Sequence, residues 1–239
     1  MLVWVGTASA AISCALGPAA LNSTANGASY DFASFTPGVS STMVVIAQIR
    51  TTVAAGSMST VSGTSVTWTQ KATGTFNVGA DTQYIYWANT PSSTAASVYR
   101  ISVTGDNGAG IQAALWVCTG SDIVRADPIR QTNLASGVVL NPTTGTLTAL
   151  ETDNGYVASW MGNLTGCPVS TPPSTGGGWT ENNDGCFANP DSNGSAAVRS
   201  TGETGTSISF TAGASVWGVG FAEVYVAPPG GGFPRRRVQ

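Results

Sequence analysis

Few residues in this chain could do chemistry, and histidine is absent altogether. Without an imidazole, neither a Ser-His-Asp nor a Cys-His arrangement for nucleophilic catalysis can be built. A Ser-Lys dyad would have to use Lys71, the single lysine, which closes a predicted strand directly after Thr69 and Gln70. That position suits a strand end better than a catalytic site.

The twelve acidic residues lie mostly in turn sequences such as 105–108 (GDNG) and 182–185 (NNDG), which favours turns over a carboxylate pair for glycoside hydrolysis. Glu223 differs, because it interrupts an apolar final strand. Alternation predicts that it faces solvent. An intersubunit ion pair with Arg125 or Arg130 and a buried catalytic acid are the alternatives. We predict no catalytic residue, and that the chain is not an enzyme.

The four cysteines have no C-x-x-C spacing, and no histidine can complete a mixed zinc site, so we predict no metal and no cofactor. Cys118 ends an apolar run and is predicted to be a buried free thiol. Cys167 and Cys186 flank a Pro/Gly-rich loop and could form a disulfide in an oxidising medium, a choice that stays open. Lipid attachment at Cys14 is the minor alternative to an ordinary first strand. The acidic turns lack the spacing of an EF-hand calcium loop.

Residues 163–193 are predicted to form a long surface loop anchored by aromatic side chains. Trp179 and Phe187 could stack on a sugar ring there, while Asn182, Asn183 and Asp184 hold its hydroxyls. This is the main binding hypothesis from the residues themselves.

The composition predicts an all-β protein, because Gly, Ser, Thr, Ala and Val dominate and only 9% of residues are charged. Strand signals recur at even spacing between turn residues, with no βαβ rhythm. We expect a two-sheet antiparallel sandwich of the jelly-roll kind. The predicted strands are 42–50, 65–71, 83–88, 97–104, 110–118, 155–161, 206–211 and 215–226, after a first strand around Leu2 and Trp4.

Two predicted strands, around residues 43–47 and 113–117, are continuously apolar and must be covered on both faces or packed at a subunit contact. So few charges on the surface also indicate assembly. We therefore expect a homo-oligomer, dimer or trimer.

The chain divides into a β-domain, residues 1–227, and a Pro/Gly linker with a basic C-terminal arm, residues 228–239. Outside the arm, six basic residues against twelve acidic ones leave a charge of −6, which argues against nucleic-acid binding by the body. Arg235, Arg236 and Arg237 are predicted to dock on an acidic partner. No basic residue precedes Arg50, so we expect no secretory signal, and no apolar run is long enough to span a membrane.

The order of segments resembles a family of β-sandwich modules found in structural proteins of phages and prophages. Its pattern runs from a G-x-x-W hairpin through an edge such as E-Y-S-G-x-D to a final pair ending A-x-F. The chain departs from it at Cys118-Thr119, where an acidic or aromatic pair is commoner, and in its long loop before Gly194. The matching stretches are SVTWTQK (65–71), YIYWAN (84–89), AALWVCTGSD (113–122), DNGYVASW (153–160) and WGVGFAEV (217–224).

This resemblance implies a jelly-roll-like fold and a role in the virion, with no shared catalytic residues. We expect a capsid decoration or head-fibre protein on the surface of the phage particle, made in the host cytoplasm. Its partners would be the major capsid protein or other virion proteins. The alternatives are a lectin-like module that binds host surface glycan and a tail-associated host-recognition protein.

Overall fold

A computed structural model describes residues 11–50, 53–105, 110–138, 141–163, 173, 178–188, 191–212 and 216–228. Within these ranges, side chains are not described at 53, 54, 105, 163, 186–188 and 191–193. The first strand predicted around Leu2 and Trp4 lies outside the described residues.

The described residues form strands and no helix, so the all-β prediction is confirmed. All strand pairs are antiparallel. The strands are β1 (Ser13–Leu16), β2 (Leu21–Ser23), β3 (Ser29–Asp31), β4 (Ser41–Arg50), β5 (Val53–Ser62), β6 (Thr69–Phe76), β7 (Asp81–Asn89), β8 (Val98–Gly105), β9 (Ile111–Thr119), β10 (Ile129–Gly137), β11 (Gly155–Asn163), β12 (Thr180–Ala188), β13 (Asp191–Arg199) and β14 (Val216–Val224).

These strands build three sheets rather than the two expected. The central sheet has the order β1-β9-β4-β7-β6, with β2 also paired to β9. The C-terminal sheet has the order β10-β14-β11-β13-β12, and the small sheet has the order β3-β8-β5. The small sheet packs on one face of the central sheet, and the C-terminal sheet packs on the other.

The apolar strands β4 and β9 lie in the middle layer and are covered on both faces within the chain. Along β4, Val45 belongs to the core against the small sheet, whereas Val44 and Ile46 belong to the core against the C-terminal sheet. In β9, Leu115 and Trp116 divide in the same way. The prediction of two covered faces is confirmed, and no subunit contact is required to bury these strands.

A third core covers the outer face of the C-terminal sheet. Segments 141–152 and 206–212 run across it and bury Leu147, Ile208 and Phe210 against Trp160 and Phe221. The two segments are joined by backbone hydrogen bonds, including Phe210 N to Pro142 O at 2.9 Å. The predicted strand 206–211 is therefore an extended cover segment whose pairing is limited to isolated bridges, such as the one between Ser209 and Thr143.

The prediction of a long loop over residues 163–193 is wrong in its second half, where β12 and β13 pair. The polar sequence of β12 suggested a loop, but β12 is the edge of its sheet, where a strand needs only one partner. Its partner β13 supplies small residues at the contact with the central sheet: Gly194 lies directly against Gln112, and Ala196 packs in the core between the two sheets. The edge strand β5, which is similarly rich in small and polar residues, was also missed.

Cys118 is not a free thiol, since it forms a disulfide with Cys14. The two residues are directly opposite each other in the β1–β9 pair, and both are buried. The prediction failed because nothing in the sequence indicates that strands 104 residues apart are neighbours. The disulfide ties the first described strand to the central sheet.

Candidate functional site

Glu223 is fully buried on β14 and does not face solvent, so the alternation prediction is wrong. Both faces of β14 are covered. Glu223 shares the face of Val219 and Phe221, which lies under the cover segment 141–152. The alternation of side chains along a strand predicts which ones are exposed only when one face of the sheet is in contact with water.

Each oxygen of the Glu223 carboxylate accepts two hydrogen bonds. Oε2 accepts from Arg130 Nη1 at 2.7 Å and from Gln131 Nε2 at 2.6 Å. Oε1 accepts from the backbone N of Glu151 at 3.0 Å and from Asn154 Nδ2 at 2.9 Å. With four donors around it, this carboxylate is saturated by structural partners, which fits a bracing role better than proton transfer.

An intersubunit ion pair with Arg125 or Arg130 was one of the alternatives for Glu223. The pair that Glu223 forms with Arg130 lies within one chain. A register shift between Ile129 and Gln131 makes Arg130 the extra residue of a bulge in β10. The bulge allows two consecutive residues, Arg130 and Gln131, to reach the same carboxylate. Burial acts to lower the pKa of Arg130, but the hydrogen bond and charge of Glu223, together with the charge of Glu151, outweigh it and raise the pKa.

Glu203 is another buried carboxylate, 1% exposed, and it also accepts four hydrogen bonds. Its Oε2 accepts from Trp179 Nε1 at 2.8 Å and from Arg199 Nη1 at 3.1 Å. Its Oε1 accepts from the backbone N of Thr204 at 3.1 Å and of Gly205 at 3.3 Å. This cluster closes the end of β13 onto the segment that follows it.

The structure describes the side chains of four of the five residues proposed for glycan binding, Trp179, Asn182, Asn183 and Asp184. Trp179 is only 8% exposed and packs in the third core near Tyr156, so its ring offers no open face to a sugar. Asn182 is the extra residue of a bulge in β12, and its Oδ1 accepts from Trp116 Nε1 at 2.9 Å. Asn183 pairs with Asn22 of β2 at 3.0 Å, and Asp184 is exposed beside it. The side chain of Phe187 lies outside the described residues.

Several other predicted residues also lie outside the described part of the chain. These are Cys167, the side chain of Cys186, the acidic turn at 106–108, and the arm with Arg235, Arg236 and Arg237. The hypotheses that rest on them remain predictions.

Two grooves open on opposite faces of the β6–β7 hairpin. One, of about 400 Å³, lies between β5 and the hairpin, and its aromatic residue, Tyr84, is only 3% exposed. The other, of about 380 Å³, lies between segment 65–69 and the end of β7 and contains Trp87, which is partly exposed. The sequence marked segment 65–71 as a strand but did not indicate a groove, because the groove needs β7 beside it.

Among the described residues, no group of three or more His, Cys, Asp or Glu side chains is placed to hold a metal ion. In the same part of the chain, we find no helix with the length and apolar character needed to cross a membrane.

A scan against protein-family models, a search of curated proteins and a search of solved structures each found no match. The structure shows an all-β chain of several antiparallel sheets. The comparisons identify no family or homologue.

Proposed function

We propose that this chain is a non-enzymatic structural protein of a phage particle, most simply a capsid decoration or head-fibre protein on the particle surface. The observation that carries the proposal is the hydrogen bonding of two buried carboxylates, Glu223 and Glu203. Glu223 and Glu203 each accept four hydrogen bonds from the chain itself. Those to Glu223 come from donors 69 to 93 residues away in sequence. Those to Glu203 come from Trp179, 24 residues away, and from donors one to four residues away. Buried polar groups used in this way specify and stiffen a fold.

Other buried polar contacts join the layers. Gln48 of β4 donates from Nε2 to the backbone oxygen of Ser159 at 3.0 Å, and Ser159 Oγ donates to Gln48 Oε1 at 3.1 Å. This pair lies in the interface between the central and C-terminal sheets, and both residues are fully buried. A chain braced between its layers suits a protein whose work is to hold a shape on a particle.

The jelly-roll-like affiliation and the virion location rest on the resemblance of the segment order, and they form part of this proposal. The partners would be the major capsid protein or other virion proteins, reached through Arg235, Arg236 and Arg237. The proposed homo-oligomer loses one of its two supports, because β4 and β9 are buried within the chain. Its remaining support is the low charge content of 9%.

The test is co-sedimentation of the purified protein with phage heads and with phage tails. The full chain is compared with a chain truncated after Val226 and with one in which the three arginines of the arm are replaced by glutamine. Binding to heads that is lost in both variants supports a decoration role, and binding to tails indicates a tail-associated protein instead. Binding to neither overturns the virion proposal.

A further inference from the structure

We propose that the groove containing Trp87 binds a neutral pyranose oligosaccharide, with the indole ring as its stacking floor. This site is separate from residues 179–187, and the proposal does not depend on the virion role. The residues that line the groove are Ser65, Val66, Thr67, Thr69, Trp87, Asn89, Thr90 and Pro91.

Trp87 is the one partly exposed aromatic residue in the described part of the chain that is not already engaged by another ring or a cation. Phe35 and Trp68 both pack edge-on against Tyr99, with centroid distances of 5.7 and 5.4 Å. The ring of Tyr225 is covered by the guanidinium of Arg125 at 3.8 Å. The inner side of Trp87 packs against the core between the central and C-terminal sheets, which fixes the ring. A rigid, half-covered indole offers the apolar face that a pyranose ring packs on.

One wall of the groove is a row of hydroxyls. Along segment 65–69, Val66 and Trp68 pack inward against the core, so Ser65, Thr67 and Thr69 point outward and are exposed. The residues alternate as in a strand, and Thr69 is the register partner of Trp87. A hydroxyl group can both donate and accept hydrogen bonds, as the hydroxyls of a sugar also can.

A fixed amide lies beside the indole. Asn89 Oδ1 accepts from Thr42 Oγ1 at 2.9 Å, and Asn89 Nδ2 donates to the backbone oxygen of Ile123 at 3.1 Å. These bonds hold the amide in one orientation and leave it further hydrogen-bonding capacity. A few fixed polar groups around an aromatic floor are the usual construction of a small-molecule site.

The charge of the groove selects the class of sugar. None of its eight lining residues is ionisable. An anionic sugar would lose hydration there without gaining an opposite charge, whereas a neutral sugar exchanges water hydrogen bonds for equivalent ones. The volume of about 380 Å³ is suited to one or two pyranose rings, so a longer chain would extend beyond the groove.

The test is titration calorimetry of the full chain with neutral gluco-, manno- and galacto-hexasaccharides and with an anionic oligogalacturonate. We expect saturable binding of at least one neutral hexasaccharide and none of the oligogalacturonate. Absence of binding to all three neutral sugars at millimolar concentration, or a preference for the anionic one, overturns the proposal.

Variants place the binding in the groove. Trp87→Ala should weaken the affinity by about tenfold or more, since it removes the stacking floor. Thr67 is exposed, so Thr67→Arg should leave the core intact while its long side chain fills the groove. This variant tests the site even if Trp87→Ala does not fold. The matched control is Thr75→Arg, which places the same side chain on the opposite face of the hairpin, in the other groove. Equal affinity of Thr67→Arg and Thr75→Arg would contradict the site.

The same variants separate this proposal from the virion role. Thr67→Arg should lose sugar binding while its co-sedimentation with phage heads is unchanged. If the full chain binds heads but no neutral sugar, the virion role stands and the sugar site is overturned. If it binds a neutral sugar but not heads or tails, the sugar site stands and the virion role is overturned.

Discussion

Arg130 and Glu223 form a fully intrachain ion pair, 2.7 Å between Nη1 and Oε2, at a bulge where β10 meets β14. The side chain of Glu223 is 0% exposed and that of Arg130 is 15% exposed. Such a pair adds little to stability when compared with a well-packed apolar pair, but removing one partner leaves the other charge buried.

Glu223→Ala should lower the free energy of unfolding by about 3 kcal/mol, because Arg130 then keeps only the exposed Glu151 as an ion-pair partner and Asn154 Nδ2 loses its acceptor. Urea unfolding followed by tryptophan fluorescence measures the loss. The control is Asp31→Asn, which breaks the exposed pair between Asp31 and Arg100. It should change stability little, and equal losses in the two variants would contradict the bracing role.

Gly194→Ala should lower the free energy of unfolding by about 3 kcal/mol, through overpacking between two sheets. A Cβ at this position would lie 2.5 Å from the backbone oxygen of Trp160 and would overlap the side chain of Gln112. Gly74→Ala is the matched control, since its Cβ would meet the nearest atom, in Leu134, at an ordinary 3.5 Å. Thermal unfolding should show a large decrease in Tm for the first variant only.

Reduction of the Cys14–Cys118 disulfide, or the variant Cys14→Ser/Cys118→Ser, should lower the free energy of unfolding by about 2–4 kcal/mol. The bond closes a loop with a sequence separation of 104 and so restricts the unfolded chain. Peptide mapping under non-reducing conditions should recover the two cysteines in one linked fragment. If the linked fragment is absent, or if reductant leaves the urea midpoint unchanged, the disulfide has no structural role.

Val78→Asn should raise the free energy of unfolding by about 1 kcal/mol. Val78 has a φ of 55° in the turn between β6 and β7, a left-handed conformation that is unfavourable for a β-branched residue and that asparagine tolerates. Its side chain is 94% exposed, so the substitution removes little packing. The control is Val61→Asn, at an exposed bulge position of β5 where φ is not positive. It should give no gain in a parallel chemical denaturation.

The local pattern predicted much of the central sheet. The apolar runs in β4 and β9 indicated strands covered on both faces, and both were found there, because continuous burial leaves a continuous apolar sequence. The alternating segment 65–69 also behaves as its pattern predicts, with Val66 and Trp68 inward. The strands β12 and β13 were missed, since an edge strand and its small-residue partner carry no apolar signal.

Composition alone determined that this chain forms β-structure and that, without histidine, it cannot use an imidazole in catalysis. The tertiary structure decided the environment of individual groups, namely that Cys118 meets Cys14, that Glu223 meets Arg130, and that Trp87 rather than Trp179 borders an open groove. The physical reason is distance along the chain. Strand formation depends on neighbours one and two residues away, whereas each of these contacts joins residues brought together only when separate strands pair and sheets stack.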